Sequence, residues 1–587
     1  MTKKNIDLHE NVMDIETLYQ RWIKKSGSCQ ISDPDVIDAL EQMKGKEDEI
    51  EEAFYRDLAF GTGGIRGIIG AGPNRMNIHT VARVSQGLAN YITKKYKSSR
   101  QNAAELYGCR IAVSYDSRIK SHLFAQIACQ VFAGNGIKAY LYPRLMPTPC
   151  LSFAVRHLKC DAGVMVTASH NPCEYNGYKV YGADGCQITV SAADEIYKEI
   201  EKIDIFDDIK IIDFETGLKQ RMIEYISSEV YTAFIEAVKE QSVIQDICIK
   251  KDIPIVYSPL NGTGLEPVLR ILRENGFTNI TVVREQEKPD GNFPTCPYPN
   301  PEIEETLALG IEYAKKRKAA LMLATDPDCD RVGVAVRDAH GKYVLLSGNE
   351  TGILLFDYIC NRRNTEGTMP KSPVMIKTIV TTDLSERIAE RYGVETLNVL
   401  TGFKFIGEQI HVLEKEGRTS DFIFGFEESC GFLSGSYVRD KDGVGAAFLI
   451  CEMCSYYASL GLTLTDKLDE IYKIDGFCMN SLHTYKFPGI DGSKNLKELM
   501  HMLRRKLVSL GGMKVEKIID YNTGINGLPK SNMLKFLLGG GCWTVIRPSG
   551  TEPKLKVYIS ICAKSKKEAL RLESEIVTEL RMLIMGR

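Results

Sequence analysis

The chain has 587 residues, 44% of them hydrophobic and 26% charged, and a formal net charge of −2. That length predicts roughly three to five domains, and the lack of a basic excess argues against nucleic acid or an anionic membrane as a partner. The 17 cysteines are scattered without a repeated C-x-x-C pair, so neither a zinc site nor a disulfide framework is expected. No apolar run reaches the ~18 residues that span a bilayer. The first ten residues lack the apolar core of a secretory signal, and a cytoplasmic enzyme is expected.

Residues 12–58 read as helices, with Asp33 as an N-cap and Pro34 just inside it. Phe60 to Gly67 reads as a glycine-rich loop carrying Arg66. It does not follow a strong strand or match G-x-G-x-x-G, so a dinucleotide site is not expected. Its glycines would let backbone N–H groups and Arg66 approach an anion, or would simply make a flexible turn. Buried strands are predicted at 110–118 (ending in polar residues), 138–142 and 163–166, and a helix at 121–134. Strands, helices and loops alternate again from about 209, with strands at 253–259, 279–283 and 319–326. A third set has strands at 374–379 and 421–424 and a helix over 446–460. Cys451 and Cys454 fall in that apolar helix and read as core. The last part has two alternating strands, 542–546 and 555–560, then a helix over 566–585 capped by Ser565. The expected fold is α/β: three similar mixed α/β domains and a smaller C-terminal α+β domain.

Four stretches carry chemistry. Gly163 to Val166 runs into a turn with Ser169 at its tip and His170 beside it, and Pro172 keeps Asn171 out of helix. A serine at the carboxyl end of a buried strand is a candidate nucleophile. Asp326, Asp328 and Asp330 alternate after a strand, and period two would point all three at one spot. Three carboxylates so close need a hard cation, Mg2+ before Mn2+ or Ca2+. An EF-hand is excluded, because Arg331 and Arg337 stand where Gly and Glu are required. A phosphatase with Asp326 as nucleophile stays open. Glu427, Glu428 and Ser429 follow a strand and could bind sugar hydroxyls, with Arg439 and Lys441 adding cations. Arg547 to Lys554 offers an arginine, two hydroxyls, a glycine and a lysine, which suits a phosphate.

Taken together, Gly61 to Arg66, Thr167 to Pro172, Asp326 to Arg331, Gly425 to Ser429 and Arg547 to Thr551 resemble, in order, the motifs of the α-D-phosphohexomutase family, phosphoglucomutase-2-like branch. The resemblance implies four domains around one central cleft, here 1–208, 209–345, 346–460 and 461–587. It implies that Ser169 carries a phosphoryl group and that Asp326, Asp328 and Asp330 hold one Mg2+ with a phosphoserine oxygen. Thr401, Glu427, Ser429 and Lys441 would line the sugar site. Arg547, Ser549, Gly550 and Thr551 would hold the non-reacting phosphate. Arg66, His170, Lys179, Arg331 and Lys404 would sit near the reacting phosphate, and Lys179, Lys404 and His170 are candidates for the general base. The implied reaction interconverts glucose 1-phosphate and glucose 6-phosphate through glucose 1,6-bisphosphate. Phosphomannomutase, phosphopentomutase, sugar-bisphosphate synthesis, a metal-dependent phosphatase and a sugar-phosphate sensor are the alternatives. The expected partners are small sugar phosphates, with no nucleic acid or membrane, and the chain is expected as a monomer or weak dimer.

Overall fold

The computed structural model describes residues 14–28, 30–61, 63–97, 108–245, 248–487, 492–525, 527–548 and 554–585. Its first sheet contains β1 (Gly64–Ile68), β2 (Arg110–Tyr115), β3 (Lys138–Leu141), β4 (Ala162–Val166), β5 (Tyr175–Gly182) and β6 (Ile223–Tyr225), in the order β1-β5-β4-β2-β3-β6. Strands β4, β2, β3 and β6 are parallel, while β5 runs antiparallel to β4. Every residue of β4 is buried, as expected of a strand covered on both faces by helices. The second sheet has β7 (Ile255–Ser258), β8 (Ile280–Val282), β9 (Leu321–Thr325), β10 (Val332–Arg337) and β11 (Tyr343–Leu346), ordered β11-β10-β9-β7-β8. The third has β12 (Val374–Thr378), β13 (Glu395–Val399), β14 (Phe422–Glu427) and β15 (Gly431–Leu433), ordered β13-β12-β14-β15.

The three sheets share one plan. Strands β4, β9 and β14 each have a parallel neighbour on one side and, on the other, the antiparallel strand that follows in sequence. The loops after β4, β9 and β14 are therefore topologically equivalent, and they carry Ser169, the aspartate triplet and Ser429 with Glu428. The domain-scale repeat that sequence identity did not reveal is plain in strand order. The last sheet is a different, antiparallel one: β16 (Phe477–Lys486), β17 (Ser509–Leu510), β18 (Met513–Asp520), β19 (Leu534–Leu538), β20 (Trp543–Pro548) and β21 (Lys554–Ala563), ordered β16-β21-β20-β19-β18-β17.

One apolar core runs from the first unit through the second and third, and a separate one fills the C-terminal domain. Cys451 and Cys454 are buried in that shared core, on helix Gly443–Ser459. Helix Leu464–Asp475 starts with a capping box at Thr463 and packs on the helices of the third unit before β16 begins. The N-terminal helices form as predicted. Asp33 caps Pro34–Met43 by accepting the Asp35 N–H at 3.1 Å. They bury Tyr19, Trp22 and Phe54 in a cluster of their own. Among the described residues, no single helix is long and apolar enough to cross a membrane.

The glycine stretch at residue 61 departs from the sequence reading. Gly64 to Ile68 is not a loop but an edge strand, with Arg66 opposite Gly177 on β5. Two glycines supply a close approach rather than flexibility. A Cβ on Gly64, at φ +148°, would lie 1.8 Å from the Tyr178 carbonyl oxygen, and one on Gly177 would lie 2.5 Å from that of Thr167. Gly64→Ala is therefore expected to push β1 off β5, at a cost of about 3 kcal/mol, and to lower the melting temperature of the first unit. Thermal unfolding followed by circular dichroism checks this; an unchanged transition would show that β1 is not so constrained.

Candidate active site

After β4 the chain reaches Ser169, which takes a left-handed backbone conformation with φ 51°. That region is costly for a residue with a Cβ and needs support from its surroundings. The Ser169 N–H donates to Thr167 Oγ1 at 2.8 Å, and the Thr167 hydroxyl donates to Asp116 Oδ2 at 2.6 Å. The Arg118 guanidinium donates to the carbonyls of Ser169 (2.5 Å), Asn171, Pro172 (2.7 Å) and Tyr175 (3.0 Å). Asp116 in turn accepts from the Arg118 N–H at 2.9 Å and the Ser121 hydroxyl at 2.7 Å. Asp116 and Arg118 are both buried, so one buried ion pair fixes the shape of the serine loop.

The Ser169 hydroxyl donates to Asp326 Oδ2 at 2.7 Å and lies 3.1 Å from His170 Nδ1. Asp326, Asp328 and Asp330 are buried, with one carboxylate oxygen from each within 4.8 Å of the others. They converge by a turn, not by the extended period-two geometry expected. Cys329 is left-handed, φ 51°, and Asp326 Oδ1 accepts the N–H groups of both Asp330 and Arg331 at 3.0 Å. Asp328 accepts from Lys179 Nζ at 2.7 Å and from the Thr148 hydroxyl at 3.0 Å. Lys441 Nζ is 3.3 Å from Asp330 Oδ2.

Burial and the adjacent carboxylates push the Asp326 pKa well above the usual range. Burial acts the same way on Asp328, but the Lys179 ammonium outweighs it and holds Asp328 low. The buried Oδ1 atoms of Asp328 and Asp330 have no hydrogen-bond partner. Buried charge without a partner is unfavourable. An all-oxygen donor set with unsatisfied carboxylate oxygens fits a hard divalent cation.

The third loop meets this centre. Arg331 donates to the Ser429 carbonyl at 3.3 Å and to Glu302 at 2.6 Å. The Ser429 hydroxyl donates to Glu427 Oε1 at 3.1 Å, and Lys441 Nζ lies 3.9 Å from the same oxygen. Backbone bonds stitch the loops together: the Val332 N–H donates to Cys430 O and the Gly443 N–H to Cys329 O, both at 3.1 Å. Glu428 faces away, accepting from Thr378 and Thr381, and burial with the Glu427 charge raises its pKa to about 7. From the fourth sheet, Arg547 donates to Thr401 Oγ1 at 2.5 Å. Lys404 lies in the first turn of helix Phe403–Lys415, and burial lowers its pKa to about 8.

Known proteins match this chain domain by domain. Family models described as phosphoglucomutase/phosphomannomutase alpha/beta/alpha domains I, II and III match residues 57–206, 232–341 and 347–474, and the C-terminal domain of the same family matches 502–579. The chain belongs to the phosphoglucomutase/phosphomannomutase family. A phosphoglucomutase of Staphylococcus haemolyticus (strain JCSC1435) is 37% identical over 527 residues, covering 87% of this chain and 91% of that protein. One from Staphylococcus aureus (strain MRSA252) is 36% identical over 552 residues, covering 92% and 95%. Two solved structures share the fold, each with a TM-score of 0.65. A family protein from Burkholderia thailandensis is 19% identical, with 89% of this chain and 97% of that one covered. The Paramecium phosphoglucomutase pp63/parafusin, in its open form, is 16% identical, covering 90% and 95%.

In this family member, Ser169, His170, Lys179, Asp326, Asp328, Asp330, Arg331, Glu427, Ser429 and Lys441 are joined by the contacts above. Arg66 lies beside them, donating to Asn171 Oδ1 at 2.9 Å. Thr401 and Arg547 meet as a second group, with Arg547 also acting on the Lys404 charge. Ser549, Gly550 and Thr551 lie outside the described residues. Arg439, expected as a cation near the sugar loop, is buried against Glu414 instead. Sequence reasoning missed Asp116, Arg118 and Thr148, although the polar run ending β2 was visible. It also missed Lys556, the cross-strand partner of Arg547, whose pKa is lowered by desolvation and by the Arg547 and Arg331 charges. Arg118→Lys keeps a charge but loses the planar fork. It is expected to lower kcat by about 10²-fold by misplacing Ser169 and, because buried carbonyls lose their donors, to lower the melting temperature as well. Steady-state kinetics that match the unmodified enzyme would remove Arg118 from this role.

Proposed function

We propose that this chain is a phosphoglucomutase, interconverting glucose 1-phosphate and glucose 6-phosphate through a phosphorylated Ser169. The observation that carries the reading is the 2.7 Å contact of the Ser169 hydroxyl with Asp326 inside a buried carboxylate triplet. The relatives named phosphoglucomutase, similar over most of the chain, support the choice of sugar.

Asp326, Asp328 and Asp330, with an oxygen of phosphorylated Ser169, are the residues that would hold one Mg2+. When bound, that ion polarises the phosphoryl group and offsets the charge that develops as it is transferred. The protein's own residues do the rest. Arg118 and Asp116 hold Ser169 in place. Arg66 and Arg331 supply positive charge near the reacting phosphate. Glu427 and Ser429 bind sugar hydroxyls, with Lys441 and Thr401 at the same site. Arg547, with Ser549, Gly550 and Thr551, holds the phosphate that is not reacting.

In one half-reaction Ser169 gives its phosphoryl group to the free hydroxyl of the sugar phosphate. In the other it takes back the second phosphoryl group from glucose 1,6-bisphosphate after that intermediate has turned around. Two proton movements accompany these steps. Lys179 is a poor base, because burial disfavours its charge but the Asp328 and Asp330 carboxylates outweigh it and keep the ammonium protonated. Lys404, with a pKa brought to about 8 by burial, can accept the proton of the sugar hydroxyl. The Ser169 hydroxyl proton is already directed at Asp326 Oδ2, and the His170 ring, kept neutral by burial and by the Arg331 and Arg66 charges, is a weak base there. Asp326 is badly placed to act as a phosphatase nucleophile, since both of its oxygens already accept hydrogen bonds.

A coupled assay is expected to show conversion of glucose 1-phosphate that needs Mg2+ and trace glucose 1,6-bisphosphate. Ser169→Ala should abolish it, together with the phosphoryl mass on the intact protein. Loss of the interconversion with release of inorganic phosphate retained in that variant would return the choice to a phosphatase. Comparison of kcat/KM for glucose, mannose and pentose phosphates tests the sugar. Because Lys404 acts as a base only when uncharged, turnover should rise as pH increases through about 8. In Lys404→Arg the rise should vanish and activity stay low at every pH; a retained rise would assign the limb to another group.

A further inference from the structure

Three cysteines meet where the C-terminal sheet joins the third unit, and the reaction proposed above uses none of them. Cys478 on β16 and Cys562 on β21 are direct cross-strand partners, and their sulfurs lie 3.1 Å apart. Backbone direction makes the pair suitable for a covalent bridge. The Cys562 N–H donates to Cys542 Sγ at 3.3 Å, and the Cys542 thiol donates to the Cys562 carbonyl at 3.4 Å. Both backbone groups of Cys562 thus point toward Cys542 and away from β16. In an antiparallel ladder that places Cys478 and Cys562 at a non-hydrogen-bonded pair, where Cα atoms approach to about 4.5 Å. That spacing falls inside the range a disulfide spans.

The environment favours reaction at one sulfur. Cys562 is half-buried and Cys478 buried. Arg387 donates to Cys562 Sγ at 3.3 Å, and the Cys478 thiol together with Arg387 lowers the Cys562 pKa against the effect of burial. A thiolate beside an arginine, backed by a second thiol, is the arrangement that oxidises selectively. Most other cysteines here are buried, and burial raises the pKa of Cys129, Cys150, Cys360 and Cys451, among others.

We propose that Cys478 and Cys562 are a reversible redox site that responds to hydrogen peroxide and controls how the C-terminal sheet is tied to the third unit. The Cys562 thiolate attacks one peroxide oxygen, so an S–O bond forms, the O–O bond breaks and hydroxide leaves as water. The Cys478 sulfur, losing its proton to solvent, then attacks Cys562 sulfur; the S–S bond forms and the S–O bond breaks with release of a second water. Two thiols lose two electrons and the peroxide gains them. A dithiol reverses the reaction by exchange.

The position gives the bridge leverage. Arg387 belongs to helix Leu384–Tyr392 of the third unit, and it also donates to the Asp475 carbonyl at 2.9 Å. The next residue, Gly476, has φ 91° and carries the chain into β16. Arg387 therefore joins the third unit, the crossing point and Cys562. Oxidation ties up the Cys562 sulfur that accepts from Arg387 and staples the first residues after the crossing to β21. The effect on turnover rests on the mutase reading, because it acts through the sheet that carries Arg547; formation of the bridge does not.

The test treats the full-length enzyme with hydrogen peroxide, blocks remaining thiols with iodoacetamide and maps peptides by mass. A Cys478–Cys562 linked peptide two hydrogens lighter than its parts is expected, reversed by dithiothreitol and absent in Cys562→Ser. Alkylation of both cysteines after peroxide, or a bridge elsewhere, would overturn the proposal. Hydrogen exchange should slow around Gly476 and β16 in the oxidised form and not in peroxide-treated Cys562→Ser. Equal exchange in both would overturn the link to the crossing point. If the bridge forms and exchange slows while the protein has no mutase activity in either redox state, the redox site stands and the function is wrong.

Discussion

Burying three carboxylates within 4.8 Å of one another is the constraint that everything else in this molecule accommodates. Isolated in apolar surroundings, such a cluster would protonate or unfold the chain. The response comes from three separate units. Lys179 arrives from the first sheet, two backbone N–H groups come from the turn itself, and Lys441 comes from the third unit. The two lysines leave one oxygen each on Asp328 and Asp330 unsatisfied. With Arg331 Nε 3.7 Å from Asp330 Oδ1 these carboxylates are ion-paired, but their hydrogen bonding is incomplete, so the oxygens that suit a cation and the assembly of the first three units are one problem.

The repeated strand order explains how units so far apart in sequence deliver groups to one place. In each, the loop that matters follows the strand flanked by a parallel and an antiparallel neighbour. Residues beyond the carboxyl end of such a strand are free of the ladder, and this is where open α/β sheets place their ligands. Three copies facing one another bring Ser169, the aspartates and Ser429 together without any of them leaving its own sheet. The continuous core through the three units then holds the loops in a fixed relation.

Much of this was legible in the sequence, and the parts that were not share a cause. Strands such as β4 and β9 stand out because both faces are buried and the run is apolar throughout. Short motifs such as Asp326 to Asp330 stand out because so many acids rarely adjoin a buried strand. The reason given for their convergence was wrong, since the turn at Cys329 depends on a backbone angle and on N–H bonds to Asp326 that no spacing rule encodes. The edge strand at Gly64 was hidden for a related reason. Its glycines signal flexibility locally, and only the distance to the Tyr178 carbonyl shows that they permit close packing. Asp116 and Arg118 could not be ranked because their importance lies in four carbonyls more than fifty residues away in sequence.

The two halves of the site are held in physically different ways, and this bears on how the cleft can work. The serine and aspartate loops are fixed by buried ion pairs and backbone bonds within one core. Arg547 belongs to a sheet with its own core, which meets the third unit through a small apolar cluster containing Ile379, Leu400, Met533 and Trp543. Lys535 braces that junction, donating to the Ile379 carbonyl at 3.2 Å with its ammonium 4.3 Å from the Trp543 ring. Covalently, the chain crosses at Gly476. Beyond these contacts and those of Arg387 and Arg547, the junction is apolar, and an apolar contact tolerates small rotations that a dense network of directional hydrogen bonds does not. For the proposed reaction, this keeps still the serine loop that would exchange phosphoryl and leaves more freedom to the arginine that would accept a sugar phosphate in either orientation.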